Sequence, residues 1–135
     1  MKILLDEQIH YKLKAVADGT DWQLFSIKEV GWRGVKNGLL REKLNENQFD
    51  FLISADKNMP FQQNFQKMDF TIILIDTPTL GWRYQSLFIS KIQDFLRNPP
   101  QALPRIVHVY IEGVSLGNKI AALKNLLPPD QILFI

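Results

Sequence analysis

Five short stretches of the chain, residues 2–5, 22–27, 49–54, 70–75 and 105–111, are apolar at nearly every position or alternate with small polar residues. Strands that are apolar on both alternating faces belong to a parallel sheet covered by helices on both sides. The segments between them carry helical spacing. Ile9, Leu13 and Val16 are four and three apart, with Lys12 and Lys14 turned away, and Leu39, Leu40 and Leu44 follow Asn37-Gly38. Leu87, Phe88, Ile92, Phe95 and Leu96 form one broad stripe within residues 85–96. Residues 61–68, rich in Gln and Asn, give a weaker helical pattern. The alternation of strand and helix predicts an α/β fold with three layers, a doubly wound and mainly parallel sheet. Pro99-Pro100 and Pro104 mark a loop before the fifth strand, and Pro128-Pro129 ends a helical stretch over residues 118–127. No repeat or low-complexity tract interrupts the chain, so the expectation is a single domain over 1–135 with a C-terminal elaboration from about residue 99.

Composition narrows the class. At 135 residues, with 46% apolar and 22% charged side chains, the chain can bury a core without covalent staples, and disordered and collagen-like classes are excluded. With no cysteine, a disulfide framework and a cysteine zinc site are impossible. The start, Met-Lys-Ile-Leu-Leu-Asp, reaches an acid after three apolar residues, too soon for a secretory signal, and no run is long enough for a membrane span. A cytoplasmic protein is expected. The net charge of +2 does not by itself announce a polyanion partner, although residues 78–135, with 6 basic and 3 acidic side chains, are more basic than residues 1–77, with 10 and 11.

Chemistry in open α/β sheets gathers beyond the carboxyl ends of the strands. Asp6 and Glu7 follow the first strand, Asp56 the third and Asp76 the fourth. Carboxylates collected there repel one another unless a cation neutralises them, and hard oxygen donors without Cys or paired His suit Mg²⁺ or Mn²⁺. An acid after a strand also serves as a helix cap or loop anchor, and for Asp76, before Thr77-Pro78, the turn reading is the stronger. His10, one turn from Asp6, reads as a capping or surface residue, and His108 as a packed or edge residue of its strand. Trp32 fits equally a lid over the core and, with Arg33 and Lys36, a stacking and phosphate-binding surface for single-stranded RNA. Gly31, Gly34 and Gly38 match no phosphate-loop spacing.

Three segments carry a resemblance. Residues 3–9, Ile-Leu-Leu-Asp-Glu-Gln-Ile, resemble the opening of a group of bacterial PIN-like domains. Residues 30–40, Val-Gly-Trp-Arg-Gly-Val-Lys-Asn-Gly-Leu-Leu, look like a second signature of one branch. Residues 49–64, from Phe-Asp-Phe-Leu-Ile-Ser-Ala-Asp to Phe-Gln-Gln-Asn, are similar to a third, with Ser54 and Asp56 where the fold has its threonine-x-aspartate motif. The resemblance covers roughly residues 1–76. It implies a metal-dependent ribonuclease, of a kind that often acts as the toxin of a toxin–antitoxin pair, with RNA as substrate and an antitoxin protein as partner. By the same resemblance Asp6 is the first-strand acid and Asp56 the acid of the threonine-x-aspartate motif, both catalytic. The expected Mg²⁺ or Mn²⁺ site adds Glu7 and the Asn37 amide oxygen, and the nucleic-acid contacts expected from residue type are Lys36, Trp32 and Arg33. Asn37 and Asn58 stand where many relatives carry acids, which removes charge from the site. The rival expectation is therefore a catalytically degenerate module that binds a protein or RNA partner. A receiver-type phosphate acceptor would also use an acidic pair, but it needs a lysine at a late strand end that Asp76-Thr77-Pro78 does not offer.

Overall fold

The computed structural model describes residues 1–135. Six parallel strands form one sheet: β1 (Lys2–Leu5), β2 (Gln23–Ser26), β3 (Phe51–Ser54), β4 (Thr71–Ile75), β5 (Ile106–Val109) and β6 (Ile132–Phe134), in the order β2-β1-β3-β4-β5-β6. The five anticipated strands are present. The sixth, three residues long, lies in the C-terminal segment and pairs with β5 from Ile106↔Ile132 to His108↔Phe134, so residues 99–135 extend the sheet itself.

Alternation along the strands divides the interior in two. Ile3, Leu5, Phe51, Ile53, Ile73, Ile75, Val107 and Val109 face one layer. There they meet Leu13 and Val16 of the 3₁₀ segment Tyr11–Ala17, and Ile92, Phe95 and Leu96 of helix α4 (Ile89–Arg97). Leu4, Leu52, Ile72, Leu74, Ile106 and Ile132 face the other layer. Their partners are Ile27 of α1 (Ile27–Val30), Leu40 and Leu44 of α2 (Asn37–Glu46), Met59, and Leu123 of α5 (Ile120–Leu126). Each fully buried Leu or Ile contributes about 1.5–3 kcal/mol relative to exposure.

The helices depart from the sequence pattern in four places. The first is a 3₁₀ segment, closed by bonds such as Leu13 N–H to His10 O, because its buried pair Leu13 and Val16 stand three apart, the repeat that eclipses in a 3₁₀ turn. The stretch from 82 breaks into α3 (Trp82–Gln85), a 3₁₀ turn at Ser86–Phe88 and α4, a change of winding that buries Phe88 but leaves Leu87 exposed. Leu39 is also exposed, and α2 buries only Leu40 and Leu44. Residues 59–67 form two 3₁₀ turns, Met59–Gln62 and Phe65–Lys67. No helix is long and apolar enough to cross a membrane.

Candidate functional site

The chain leaves β1 for β2 on one side and returns to β3 on the other, so the strand order reverses between β1 and β3. At such a reversal the following connections diverge to opposite faces and leave a crevice beyond the strand ends. Asp6 lies there. Its N–H donates to Ile53 O at 2.9 Å, continuing the ladder by one residue, and alternation puts its side chain on the same face as Leu4. Ser54, on the face of Leu52, donates its hydroxyl to Asp6 Oδ2 at 2.7 Å and accepts the Asp56 N–H at 3.0 Å. One hydroxyl thus ties the two acids expected from the sequence.

Asp6 is 7% exposed and otherwise held only by the Glu7 N–H, at 2.8 Å from Oδ1. Burial raises its carboxyl above the ordinary range. The two hydrogen bonds pull it down, and the nearby charges of Asp56 and Glu7 push it up again. Asp56 is half-buried, and its Oδ1 accepts the Asn58 N–H at 3.0 Å, the Asx turn that a loop acid makes. Its Oδ2 is left for other partners.

Asp6, Glu7, Asn37 and Asp56 line one small cavity of about 130 Å³, together with Gln8, Lys36 and Met59. Glu7 Oε1 accepts the Gly34 N–H at 2.8 Å; Gly34 has φ +73°, a conformation that glycine adopts without strain and that sets this N–H in place. Asn37, the first residue of α2, gives its side-chain N–H to Gln62 Oε1, which leaves its own Oδ1 as a free acceptor. Gln8 Oε1 is buried with no donor in the chain. Nowhere do three or more His, Cys, Asp or Glu side chains cluster closely enough to form a metal-holding group by themselves.

The three residues expected to face nucleic acid separate. Lys36 is exposed and lines the cavity. Arg33 is exposed and lines a second, larger hollow that also borders Asp6 and Glu7. Trp32 faces neither hollow; its ring packs edge-on against Phe49 at 5.8 Å with Lys43 over it at 5.6 Å, so it is the lid over the core. His10 caps the 3₁₀ segment by accepting the Lys12 N–H on Nδ1 at 3.2 Å.

Two buried polar groups have roles that their local sequence does not announce. Asp76, the strand-end acid with the stronger turn reading, is wholly buried one residue past β4. Lys57 Nζ stands 2.9 Å from its Oδ1, an ion pair by distance whose angle falls outside hydrogen-bonding geometry. His108 Nε2 lies 3.2 Å from Oδ2, which also accepts the Gly117 N–H at 3.1 Å. Burial pushes His108 below its ordinary pKa despite the Asp76 charge, which acts the other way. Gln85, also fully buried, donates to Gln8 O at 2.8 Å and Leu80 O at 2.7 Å and accepts the His10 N–H at 2.8 Å. It clamps the turn that carries Asp6 and Glu7. Lys57 follows Asp56 directly, so its ion pair anchors the other acid-bearing turn. Periodicity offers no signal for either residue, since each depends on partners distant in sequence.

Fold and site together define a parallel α/β protein with an acidic crevice at its strand-order reversal. No family model matches the chain, and neither a curated protein nor a solved structure matches it.

Proposed function

We propose that the protein is a PIN-like, Mg²⁺- or Mn²⁺-dependent endoribonuclease that acts in the cytoplasm as the toxin of a toxin–antitoxin pair. The observation that carries the catalytic part is the convergence of Asp6, Glu7, Asn37 and Asp56, from three separate segments, on one cavity. The toxin assignment rests on the motif resemblance alone.

The donor set suits a hard cation. Asp6 and Asp56 supply charge, and Asn37 Oδ1 is a neutral oxygen. Asp6, Asp56 and Asn37 would hold a divalent ion, whose chemistry would be activation of a water and stabilisation of charge on a leaving oxygen. The chain's own contributions are distinct. Ser54 fixes the Asp6 carboxylate through a hydrogen bond, and Glu7 is oriented by the Gly34 N–H. Lys36 offers an exposed cation to a phosphate at the cavity mouth.

The test is cleavage of end-labelled single-stranded RNA by purified protein with Mn²⁺, with Mg²⁺ and with EDTA. Metal-dependent cleavage that disappears in both Asp6→Asn and Asp56→Asn supports the reading, and cleavage unchanged in both variants rejects it. The small charge of the site, two carboxylates at its centre and no cluster of three, favours a second reading, a binding module that keeps the crevice without catalysis. RNA binding without cleavage under any metal would select it.

A further inference from the structure

Asp6 and Glu7 border two hollows. Besides the cavity shared with Asp56, they line a second, of about 430 Å³, beyond the ends of β1 and β2, whose other walls include Tyr11, Ser26, Lys28 and Arg33. Its volume falls in the range of pockets that hold small ligands. Two features show what would fit. Lys28 and Arg33 are exposed, and neither has a carboxylate partner within ion-pair distance. Tyr11 is 66% exposed, and its ring stacks on His10 at 4.7 Å and 27°, while the Trp82 ring lies tilted 5.1 Å from His10. His10 is itself fixed, through its N–H on Gln85 and its Nδ1 on the Lys12 N–H.

An exposed ring stacked on a histidine, beside two unpaired cations, is an arrangement that can take a nucleobase on its π face and the flanking phosphates on the cations. We infer that this second hollow is a nucleotide subsite, in which Tyr11 stacks one base of a single-stranded RNA while Arg33 and Lys28 hold its phosphates. The strand then runs past Asp6 and Glu7 toward the smaller cavity and Lys36. The inference rests on the ribonuclease reading for the identity of the polymer, but not for the subsite's chemistry. Stacking on an aromatic face tolerates any base, so the subsite predicts affinity without strong sequence preference.

The experiment measures fluorescence anisotropy of a labelled single-stranded RNA oligonucleotide in Ca²⁺, with parent protein and with Tyr11→Phe, Tyr11→Leu and Arg33→Gln, each checked for an unchanged melting temperature. Tyr11→Phe should bind like the parent, and Tyr11→Leu about ten-fold or more weakly. Arg33→Gln should lower the slope of log affinity against log salt by about 0.7, the value of one lost phosphate contact on a single strand. A single-stranded DNA of the same sequence, run in parallel, reports whether the 2′-hydroxyl is read. Equal affinity of Tyr11→Leu and parent overturns the subsite, and if Asp6-dependent cleavage persists then the nuclease reading survives it. Loss of binding in Tyr11→Leu with no cleavage by the parent under any metal supports the subsite and rejects the nuclease reading. A parent protein that binds neither polymer overturns both.

Discussion

Replacing Asp76 with alanine should be among the most damaging single changes the fold can suffer, although the residue stands outside the candidate catalytic set. The carboxylate is fully buried and faces three donors: Lys57 Nζ at 2.9 Å, Gly117 N at 3.1 Å and His108 Nε2 at 3.2 Å. The Lys57 side chain is only 16% exposed and has no other carboxylate in reach. Alanine removes the acceptor and leaves an ammonium in a low-dielectric position, with a ring N–H and a backbone N–H unsatisfied beside it. Removing one partner of a buried ion pair costs about 3–5 kcal/mol, most of it the cost of the charge left behind. Against a total of about 5–15 kcal/mol for a domain, that is a large share.

The assay is urea unfolding followed by circular dichroism. With a slope of about 1–3 kcal/mol per molar, the midpoint should fall by roughly 2 M at unchanged slope. Asp76→Asn should cost less, since an amide oxygen still accepts from Gly117, but its N–H₂ then faces the Lys57 ammonium. In a Lys57→Met background that clash is gone, and the Asp76→Asn penalty should shrink by about 1–3 kcal/mol, the range of coupling for residues in one network. A midpoint change in Asp76→Ala worth less than about 1 kcal/mol, or additive costs in the cycle, would refute the idea that Lys57 and Asp76 compensate each other.

The other predictions concern charge and the clamp. Burial holds His108 below its ordinary 6.5, so the unfolded chain takes up the proton first as pH falls; the neutral-His108 contribution is complete above about 6.5 and is lost as pH drops toward the folded value. Urea midpoints between pH 7.5 and 5.5 should show that loss in the parent and less of it in His108→Gln. Asp6 shifts the opposite way: its raised carboxyl favours the fold below 3.8, and that contribution disappears as pH rises through the folded value, above which the ionised group is a burden that a cation relieves. Mn²⁺ should therefore raise the melting temperature of the parent more at pH 7 than at pH 5 and leave Asp6→Asn nearly unmoved; equal shifts in both proteins would place the ion elsewhere. Asn37→Asp adds a charge to the cavity and should lower stability without metal while enlarging the Mn²⁺ shift, and identical Mn²⁺ responses in variant and parent would make Asn37 no more than a helix-start residue. Gln85→Leu leaves Gln8 O, Leu80 O and His10 N–H without partners and should cost about 2–4 kcal/mol by chemical denaturation.

Much of the architecture was legible because parallel strands buried on both faces leave continuous apolar runs, and an acid that ends such a run is placed by the ladder itself. Asp6 and Asp56 were found in this way. What escaped was whatever depends on contacts across the fold. Asp76 reads locally as a turn acid, since nothing in Asp76-Thr77-Pro78 announces that Lys57, His108 and Gly117 will meet it. β6 is three residues long, shorter than any period can reveal, and exists because β5 offers a free edge. Leu87 fits the apolar stripe of a continuous helix, but the 3₁₀ turn at Ser86–Phe88 rotates it outward. Trp32, equally suited by sequence to core or ligand, is decided by Phe49, seventeen positions further along.

The contrast between the two buried acids on this face of the sheet bears on function. Asp76 and Asp6 both stand one residue past a strand, both keep the alternation of the strand they follow, and both are buried. Asp76 meets an ammonium, a histidine and a backbone N–H, so its charge is answered within the chain. Asp6 meets a hydroxyl and one N–H, both neutral, and its charged neighbours Asp56 and Glu7 are of like sign. Burying a carboxylate costs several kcal/mol unless an opposite charge offsets it, and a fold that offsets one and not the other is not short of means. Lys57, adjacent to Asp56 in sequence, is turned away to Asp76. The acid left uncompensated is the one that opens on a cavity lined also by Asn37, whose amide oxygen is free. An unanswered negative charge facing neutral oxygens is stable only with a cation or a proton, and the Mn²⁺ response of Asp6 against pH distinguishes the two.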